Sequence, residues 1–279
     1  MNTGQYEKKY NARAAVPDVA LHIARRARES ETVRAALPCV LDIPYGHSPA
    51  EKLDIYPARG ESIATLMFIH GGYWQSQDKK DYAFLVPKLV EAGVTVAVPN
   101  YALCPAVRID EIVMQMVRAG AWLHRNAGKH GAPPGRLYVA GASAGGHLAA
   151  MMMAVLWSAF DCNLPRRVFR GALCISGIYD LAPIVHVPSV NTNAKLNPAA
   201  ARRVSPLSYP PATDAPVYLT VGSEETEGFK EQLRWMRDRW TDVVEAVIPS
   251  PGCHHFNILD QLNDPSSALF RAALGMVRV

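Results

Sequence analysis

The chain has 279 residues, of which 49% are hydrophobic and 19% charged, and its formal net charge is +4. This composition fits a globular α/β domain with a sizeable core, and it lacks the clustered basic residues of a nucleic-acid-binding surface, the apolar run of a membrane span and the apolar core of a secretory signal. Five cysteines without CxxC spacing indicate reduced thiols and a cytoplasmic location.

Two segments precede the regular part of the pattern. Residues 17–36 are predicted to form a charged amphipathic helix outside the main sheet, so residues 1–36 are interpreted as an N-terminal helical extension. Residues 37–45 and 51–57 are predicted to be the strands of an antiparallel hairpin, because the turn-forming sequence Gly46-His47-Ser48-Pro49 joins them.

The rest of the chain alternates between strands and helices. Strands are predicted at residues 63–70, 94–98, 136–140, 169–176, 216–221 and 243–248. Helices are predicted at residues 79–92, 109–128, 144–157, 226–240, 256–262 and 265–276. This alternation predicts a single α/β domain over residues 1–279. Its sheet is doubly wound and mostly parallel, with reactive groups at the carboxyl ends of the strands.

A glycine-rich loop, Gly71-Gly72-Tyr73-Trp74, follows the first of these strands. Its glycines let the backbone approach a substrate with N–H groups pointing inward, so Gly72 and Tyr73 are predicted to donate to an oxyanion. His70 is predicted to brace the loop by hydrogen bonding. The rings of Tyr73 and Trp74 are predicted to wall the substrate pocket, with core packing as the alternative for Trp74.

The stretch Gly141-Ala142-Ser143-Ala144-Gly145 has the G-x-S-x-G pattern between an apolar strand and an apolar helix. This context is typical of a nucleophile elbow, a strained turn that presents the serine hydroxyl at the start of a helix. Ser143 is therefore the candidate nucleophile, and the N–H of Ala144 is a third candidate oxyanion donor. The alternative is a small-residue turn that only closes a β-α unit.

Residues 177–215 interrupt the alternation and carry many Pro, Asn and Ala residues. A segment of this length within a compact domain is usually functional or disordered. We interpret it as a cap or substrate loop with one short helix near residues 198–202. A plain surface insertion is the alternative.

A serine nucleophile needs a base, and the base needs an acid that holds its tautomer. Glu224 and Glu225 both follow the strand at 216–221, and either can supply the acid. His254 and His255 follow the last strand, in the order serine, acid, histidine, and either can supply the base. No cysteine or acidic residue has metal-ligand spacing to this histidine pair, so neither a metal nor another cofactor is predicted.

These motifs resemble the α/β-hydrolases of the kynurenine formamidase (arylformamidase) and carboxylesterase type, over about residues 40–262. The HGGYW form of the glycine loop and the Gly-Ile-Tyr-Asp-Leu segment resemble the formamidase branch in particular. The resemblance is carried by the segments Lys52–Pro57, His70–Gln75, Val98–Pro105, Gly141–Leu148, Ser176–Leu181 and Val221–Phe229.

The resemblance also implies which acid and which base act. Glu225 stands three residues after Gly222, where the family usually carries its acid, and His255 forms the His-Phe pair that usually opens the last helices. The family acid is commonly Asp, and a His often precedes the serine, whereas this chain has Glu225 and Ala142 at those positions.

The predicted function is that of a serine hydrolase with the triad Ser143, Glu225 and His255, which cleaves small acyl groups from aryl amides or esters. The resemblance implies metal-free hydrolysis of N-formylkynurenine or a related compound. The expected partner is a small aromatic substrate, with neither nucleic acid nor membrane, and a homodimer stays open. The alternatives are an ester, carbamate or lactone hydrolase for another small aromatic substrate, and a non-catalytic binding protein with the same fold.

Overall fold

Eight strands form the central sheet of the computed structural model, which describes residues 1–278. They are β1 Val40–Pro44, β2 Lys52–Tyr56, β3 Ala64–Ile69, β4 Val94–Pro99, β5 Leu137–Ala142, β6 Ala172–Ile175, β7 Val217–Gly222 and β8 Val244–Ser250. Their order across the sheet is β1-β2-β4-β3-β5-β6-β7-β8. The pairs β1-β2 and β2-β4 are antiparallel, and the other neighbours are parallel. The predicted sheet and its antiparallel hairpin are confirmed.

The centre of the sheet is apolar on both faces. Every residue of β3, β4 and β5 is buried. Successive side chains of a strand point to opposite faces, so Met67 and Ile69 pack into one core while Leu66 and Phe68 pack into the other. A strand covered on both faces needs a continuous apolar run, which explains why these segments lack a polar-apolar alternation.

Ten α-helices accompany the sheet within residues 1–278. They are α1 Thr3–Tyr10, α2 Val19–Ala36, α3 Pro87–Glu91, α4 Ile109–Asn126, α5 Ala144–Met153, α6 Trp157–Phe160, α7 Pro188–Ala194, α8 Pro198–Arg203, α9 Glu227–Arg239 and α10 Ala268–Arg278. A search of the same residues finds no helix with both the length and the apolarity that crossing a bilayer requires.

Two of the predicted helices are interrupted. The helix predicted over residues 79–92 is a 3-10 helix at Lys79–Leu85 followed by α3, because Pro87 has no N–H with which to continue a hydrogen-bonded ladder. The helix predicted over residues 144–157 ends at Met153, where the backbone N–H of Ala212 donates to the Met153 carbonyl at 2.9 Å. A segment distant in sequence thus supplies the hydrogen bond to the carbonyl at the end of α5, in place of a further helical turn.

The segment over residues 177–215 contains more helix than predicted. In addition to α8, it has α7 and two 3-10 turns, Pro183–His186 and Pro206–Ser208. Each of these four elements begins with a proline, whose fixed φ suits the first helical position and whose missing N–H is not needed there. The four prolines were the sequence signal for these short helices.

The N-terminal helices lie outside the sheet but are anchored to the rest of the chain by polar contacts that are buried or partly buried. Asp54 of β2, whose side chain is fully buried, accepts from Arg34 of α2 and from Lys79, the latter at 2.6 Å. Lys9 of α1 forms an ion pair with Glu231 of α9 at 2.5 Å. α2 packs against the 3-10 helix at Lys79–Leu85, and α1 packs against α9 and against the 3-10 turn Pro183–His186.

Candidate active site

Ser143 occupies a strained turn between β5 and α5. Its backbone has φ 56° and ψ −118°, a conformation that L residues rarely adopt. A Cβ on Gly145 would lie 2.0 Å from the Ile69 carbonyl oxygen, and a Cβ on Gly141 would lie 2.2 Å from the Gly145 carbonyl oxygen. The two glycines therefore let β5 and α5 approach closely enough to form the turn that presents the serine side chain.

The glycine loop after β3 supplies free backbone donors beside this serine. Gly72 has φ +106°, and a Cβ there would lie 2.0 Å from the Ser76 carbonyl oxygen, so the turn requires glycine. Within residues 1–278 the N–H groups of Gly72 and Tyr73 have no acceptor, whereas the N–H of Gly71 donates to the Tyr82 hydroxyl at 3.1 Å. Ala144 is the first residue of α5, so its N–H has no acceptor within the helix.

His70 braces this loop in the way the sequence predicted. Its side chain is fully buried, and its ring stacks on Tyr101 with centroids 4.1 Å apart. Its Nε2 lies 3.0 Å from the Asn100 side-chain oxygen, and its Nδ1 lies 2.8 Å from the Gly71 carbonyl oxygen. Burial lowers the pKa of this imidazole, which favours its neutral form.

The prediction that Trp74 walls the pocket is wrong. Tyr73 and Trp74 both have positive φ, 50° and 58°, which turns the indole back beneath the loop. Trp74 is fully buried in the core, and its Nε1 donates to Nδ1 of His147 on α5 at 3.1 Å. Tyr73 does line the cavity, and its hydroxyl donates to the Tyr10 carbonyl at 2.5 Å.

Glu225 is the acid that the fold places against a histidine. Its side chain is fully buried, and Oε2 lies 2.6 Å from Nδ1 of His255. Its other oxygen, Oε1, accepts from the Gly222 N–H at 3.0 Å and from the Ser176 hydroxyl at 2.5 Å. Glu224, the alternative, is exposed to solvent. The three donors hold the Glu225 carboxylate in one orientation and satisfy its charge.

His255 is the histidine that lines the same cavity as Ser143. It lies in the loop after β8, with its ring 4.4 Å from Phe229 and 5.5 Å from Phe256 between centroids. Because its Nδ1 donates to Glu225, its Nε2 is left for the cavity of about 650 Å³ that it lines together with Ser143. The described residues show no direct Ser143–His255 hydrogen bond; such contacts often tighten only when substrate binds.

His254, the alternative base, points toward α2 instead. Its ring lies edge-on to His22 with centroids 4.9 Å apart, and His22 lies 3.4 Å from the Asp18 carboxylate. The possible ligand atoms of Asp18, His22 and His254 all lie within 4.8 Å of one another. An acidic residue that is distant in sequence, Asp18, therefore does lie beside the histidine pair. The Nδ1 of His254 already accepts from the Phe256 N–H at 3.1 Å.

The N-terminal extension and the 177–215 segment complete the cavity, and the sequence did not predict the first of these contributions. Residues 11–14 and Arg26 line the cavity from the extension, and α7 adds Ser189, Val190 and Asn193. The extension has no motif of its own, and only its tertiary packing brings it there. Ser176 also belongs to the site and was not predicted. It is the one residue of those not predicted that had a recognisable sequence signal, because it lies in the segment Ser176–Leu181 that resembles the family.

Comparison with known proteins gives matches over the whole chain. Residues 53–227 match the family model described as BD-FAE. The chain is 29% identical to the kynurenine formamidase of Salmo salar, over 99% of this chain and 97% of that protein. It is 30% identical to the kynurenine formamidase of Danio rerio, over 96% of this chain and 92% of that protein.

Solved structures give matches of similar extent. A candidate thioesterase from Silicibacter sp. TM1040 has a TM-score of 0.86 and 29% identity, and the match covers 98% of both chains. Esterase B from Lactobacillus rhamnosis has a TM-score of 0.67 and 17% identity, and the match covers 96% of both chains. At that lower identity the likeness concerns the fold alone.

Proposed function

Because this chain belongs to the BD-FAE family and to the kynurenine formamidase family of α/β-hydrolases, we propose that it is a serine hydrolase that removes small acyl groups from aryl amides or esters. The α/β-hydrolase fold predicted from the sequence is confirmed by the sheet topology and by the structural matches. Formyl and acetyl are the acyl groups we expect, and N-formylkynurenine or a related aryl formamide is the expected type of substrate.

The observation that carries this proposal is that Ser143 and His255 line one cavity while the buried Glu225 carboxylate contacts His255 from behind. The Glu225 carboxylate lies 2.6 Å from Nδ1 of His255, which leaves Nε2 of the same ring toward the cavity that Ser143 lines. A carboxylate held by two other donors fixes the histidine tautomer and stabilises the imidazolium that forms during proton transfer.

The mechanism follows from these placements. Nε2 of His255 takes the proton from the Ser143 hydroxyl as the oxygen attacks the substrate carbonyl. The N–H groups of Gly72, Tyr73 and Ala144 donate hydrogen bonds to the developing oxyanion. Loss of one such donor raises the activation free energy by about 3 kcal/mol. The imidazolium then gives its proton to the leaving amine or phenol, and water releases the acyl group from Ser143 by the reverse sequence.

The preference for small acyl groups is argued from the loop that carries the oxyanion donors. The Tyr73 ring lines the cavity, and its hydrogen bond to the Tyr10 carbonyl opposes a movement that would admit a long chain. Its flat face also offers a surface for an aryl group. Since Trp74 is buried in the core, the proposed preference for small acyl groups depends on Tyr73 alone.

A chain-length series of p-nitrophenyl esters, run alongside formanilide, tests the proposed function. We expect kcat/KM to fall from acetate to octanoate, since each methylene that does not fit costs on the order of 1–3 kcal/mol. We also expect formanilide to be hydrolysed. A steady rise from acetate to octanoate would show a lipase-like pocket and refute the preference.

We propose further that the chain is a single domain in which residues 177–215 act as a cap. In support, Nε2 of Gln75, in the oxyanion loop, donates to the Ser189 carbonyl at 3.0 Å, and Asn193 donates to the Gln75 side chain at 3.0 Å. These contacts join α7 to the loop that carries the oxyanion donors. A cytoplasmic location is also proposed, because all five cysteines are unpaired.

A further inference from the structure

The wall of the active-site cavity carries positive charge without a matching acid. Arg13 and Arg26, both from the N-terminal extension, line it, and within residues 1–278 no aspartate or glutamate does. A concave site lined by one sign of charge concentrates ligands of the opposite sign. The two arginines therefore favour a substrate that carries a negative charge away from the bond to be cleaved.

Arg26 is a buried cation whose donors are only partly used. It is 7% exposed, and its Nη2 donates to the Phe256 carbonyl at 2.7 Å. Its Nε is buried without a hydrogen-bond partner, and its guanidinium lies over the Phe84 ring at 5.1 Å. Burial lowers the pKa of this guanidinium, and the nearby charge of Asp260 acts in the opposite direction.

Neighbouring arginines on the same helix provide a comparison. Arg25 forms an ion pair with Asp260 at 2.6 Å, and Arg34 forms one with Asp54. Arg26 has no carboxylate within 4.0 Å among residues 1–278, although it is the most buried of the three. An ion pair is the usual way in which a protein compensates a buried charge, so the missing partner of Arg26 is expected to come from a ligand.

We propose that Arg26 binds a carboxylate on the leaving group of the substrate, with Arg13 as a second, more exposed cation at the same cavity. The proposal rests on the hydrolase function proposed above and assigns Arg26 as the residue that determines its specificity for anionic aryl amides or esters. A planar guanidinium matches a carboxylate with two parallel hydrogen bonds. Arg26 contacts the residue that follows His255, and His255 protonates the leaving group, so the anion belongs on that half of the substrate.

The test compares matched anionic and neutral substrates. The ortho, meta and para isomers of formamidobenzoate are each paired with the corresponding formamidobenzamide, and the ratio of their kcat/KM values is measured. We expect wild type to prefer at least one carboxylate isomer. In Arg26→Gln we expect that ratio to fall by about 10- to 100-fold, through KM, as charge-assisted hydrogen bonds are lost.

Arg25→Gln is the matched control, because Arg25 lies on the same helix but pairs with Asp260. We expect this variant to keep the ratio within about twofold of wild type. In Arg13→Gln we expect a smaller fall that disappears at high salt, since exposed charges are screened. An equal loss on both substrates in Arg26→Gln would overturn the proposal, because Arg26 would then act only by holding the Phe256 carbonyl.

A binding measurement separates this proposal from the hydrolase function. Benzoate and benzamide are titrated calorimetrically into Ser143→Ala and into the double variant that also has Arg26→Lys, which keeps the charge but loses the planar fork. We expect benzoate to bind more tightly than benzamide, and the difference to shrink in the double variant. Equal binding of the two compounds to Ser143→Ala would refute the anion site, whether or not wild type hydrolyses any formanilide.

Discussion

Replacing Glu225 with glutamine should separate orientation of the histidine from the folding of the site. The substitution keeps the shape of the side chain and its acceptor oxygen, which can still accept from the Gly222 N–H and the Ser176 hydroxyl. It removes the negative charge that lies 2.6 Å from Nδ1 of His255. The imidazolium is then no longer stabilised, and the amide N–H₂ can favour the wrong tautomer.

The expected loss is large because the carboxylate is fully buried and bonded directly to the base. Removing the acid from comparable triads lowers kcat by about 10⁴, which corresponds to about 5 kcal/mol of activation free energy. We expect a loss of about 10³ to 10⁴ in kcat for p-nitrophenyl acetate, with the far-ultraviolet circular dichroism unchanged.

The neighbouring residue provides the control for this prediction. Glu224 is exposed, so Glu224→Gln should keep kcat within about twofold of wild type. If Glu225→Gln retained activity within about tenfold of wild type, or if Glu224→Gln lost more than Glu225→Gln, Glu225 would not be the acid.

Two further predictions concern metals and pH. Incubation with EDTA should leave kcat unchanged, since protein groups fill every proposed role; loss of activity that zinc restores would contradict this and would direct attention to Asp18, His22 and His254. Burial lowers the pKa of His147 to about 4, so the unfolded chain binds this proton more tightly than the folded chain. The free energy of unfolding should therefore fall by about 3 kcal/mol as pH drops from about 6.5 to about 4. Urea titrations at several pH values should show that the free energy of unfolding falls less steeply with decreasing pH in His147→Gln than in wild type. The same pH dependence in both proteins would refute the lowered pKa of His147.

Local sequence patterns were enough to predict the sheet and the elbow. The strands β3 to β5 are continuous apolar runs, and the glycines around Ser143 stand where a side chain would collide with backbone atoms. Local patterns alone left two neighbouring pairs of residues for the acid and the base, and the family resemblance favoured Glu225 and His255. In the structure Glu225 is buried against His255, whereas Glu224 is exposed and the His254 ring lies against His22.

Features that depend on tertiary packing could not be predicted. Trp74 follows two residues with positive φ, and no local rule shows that its indole turns into the core. Arg26 looks like its charged neighbours in the sequence, and only the docking of α2 reveals that it lacks a carboxylate partner. The proximity of Asp18 to His254 could not be predicted for the same reason, since the two residues lie far apart in sequence.

Covalent labelling of Ser143 tests the central claim most directly. The protein is treated with a p-nitrophenyl alkylphosphonate, and the modified peptide is identified by mass spectrometry. We expect one adduct on Ser143, none in Ser143→Ala, and an unchanged adduct in Ser189→Ala, whose serine lines the same cavity without a catalytic role. Ser143→Ala should also lose at least about 10³ in kcat. An adduct on another residue, or activity of Ser143→Ala within about tenfold of wild type, would contradict the assignment of Ser143 as the nucleophile.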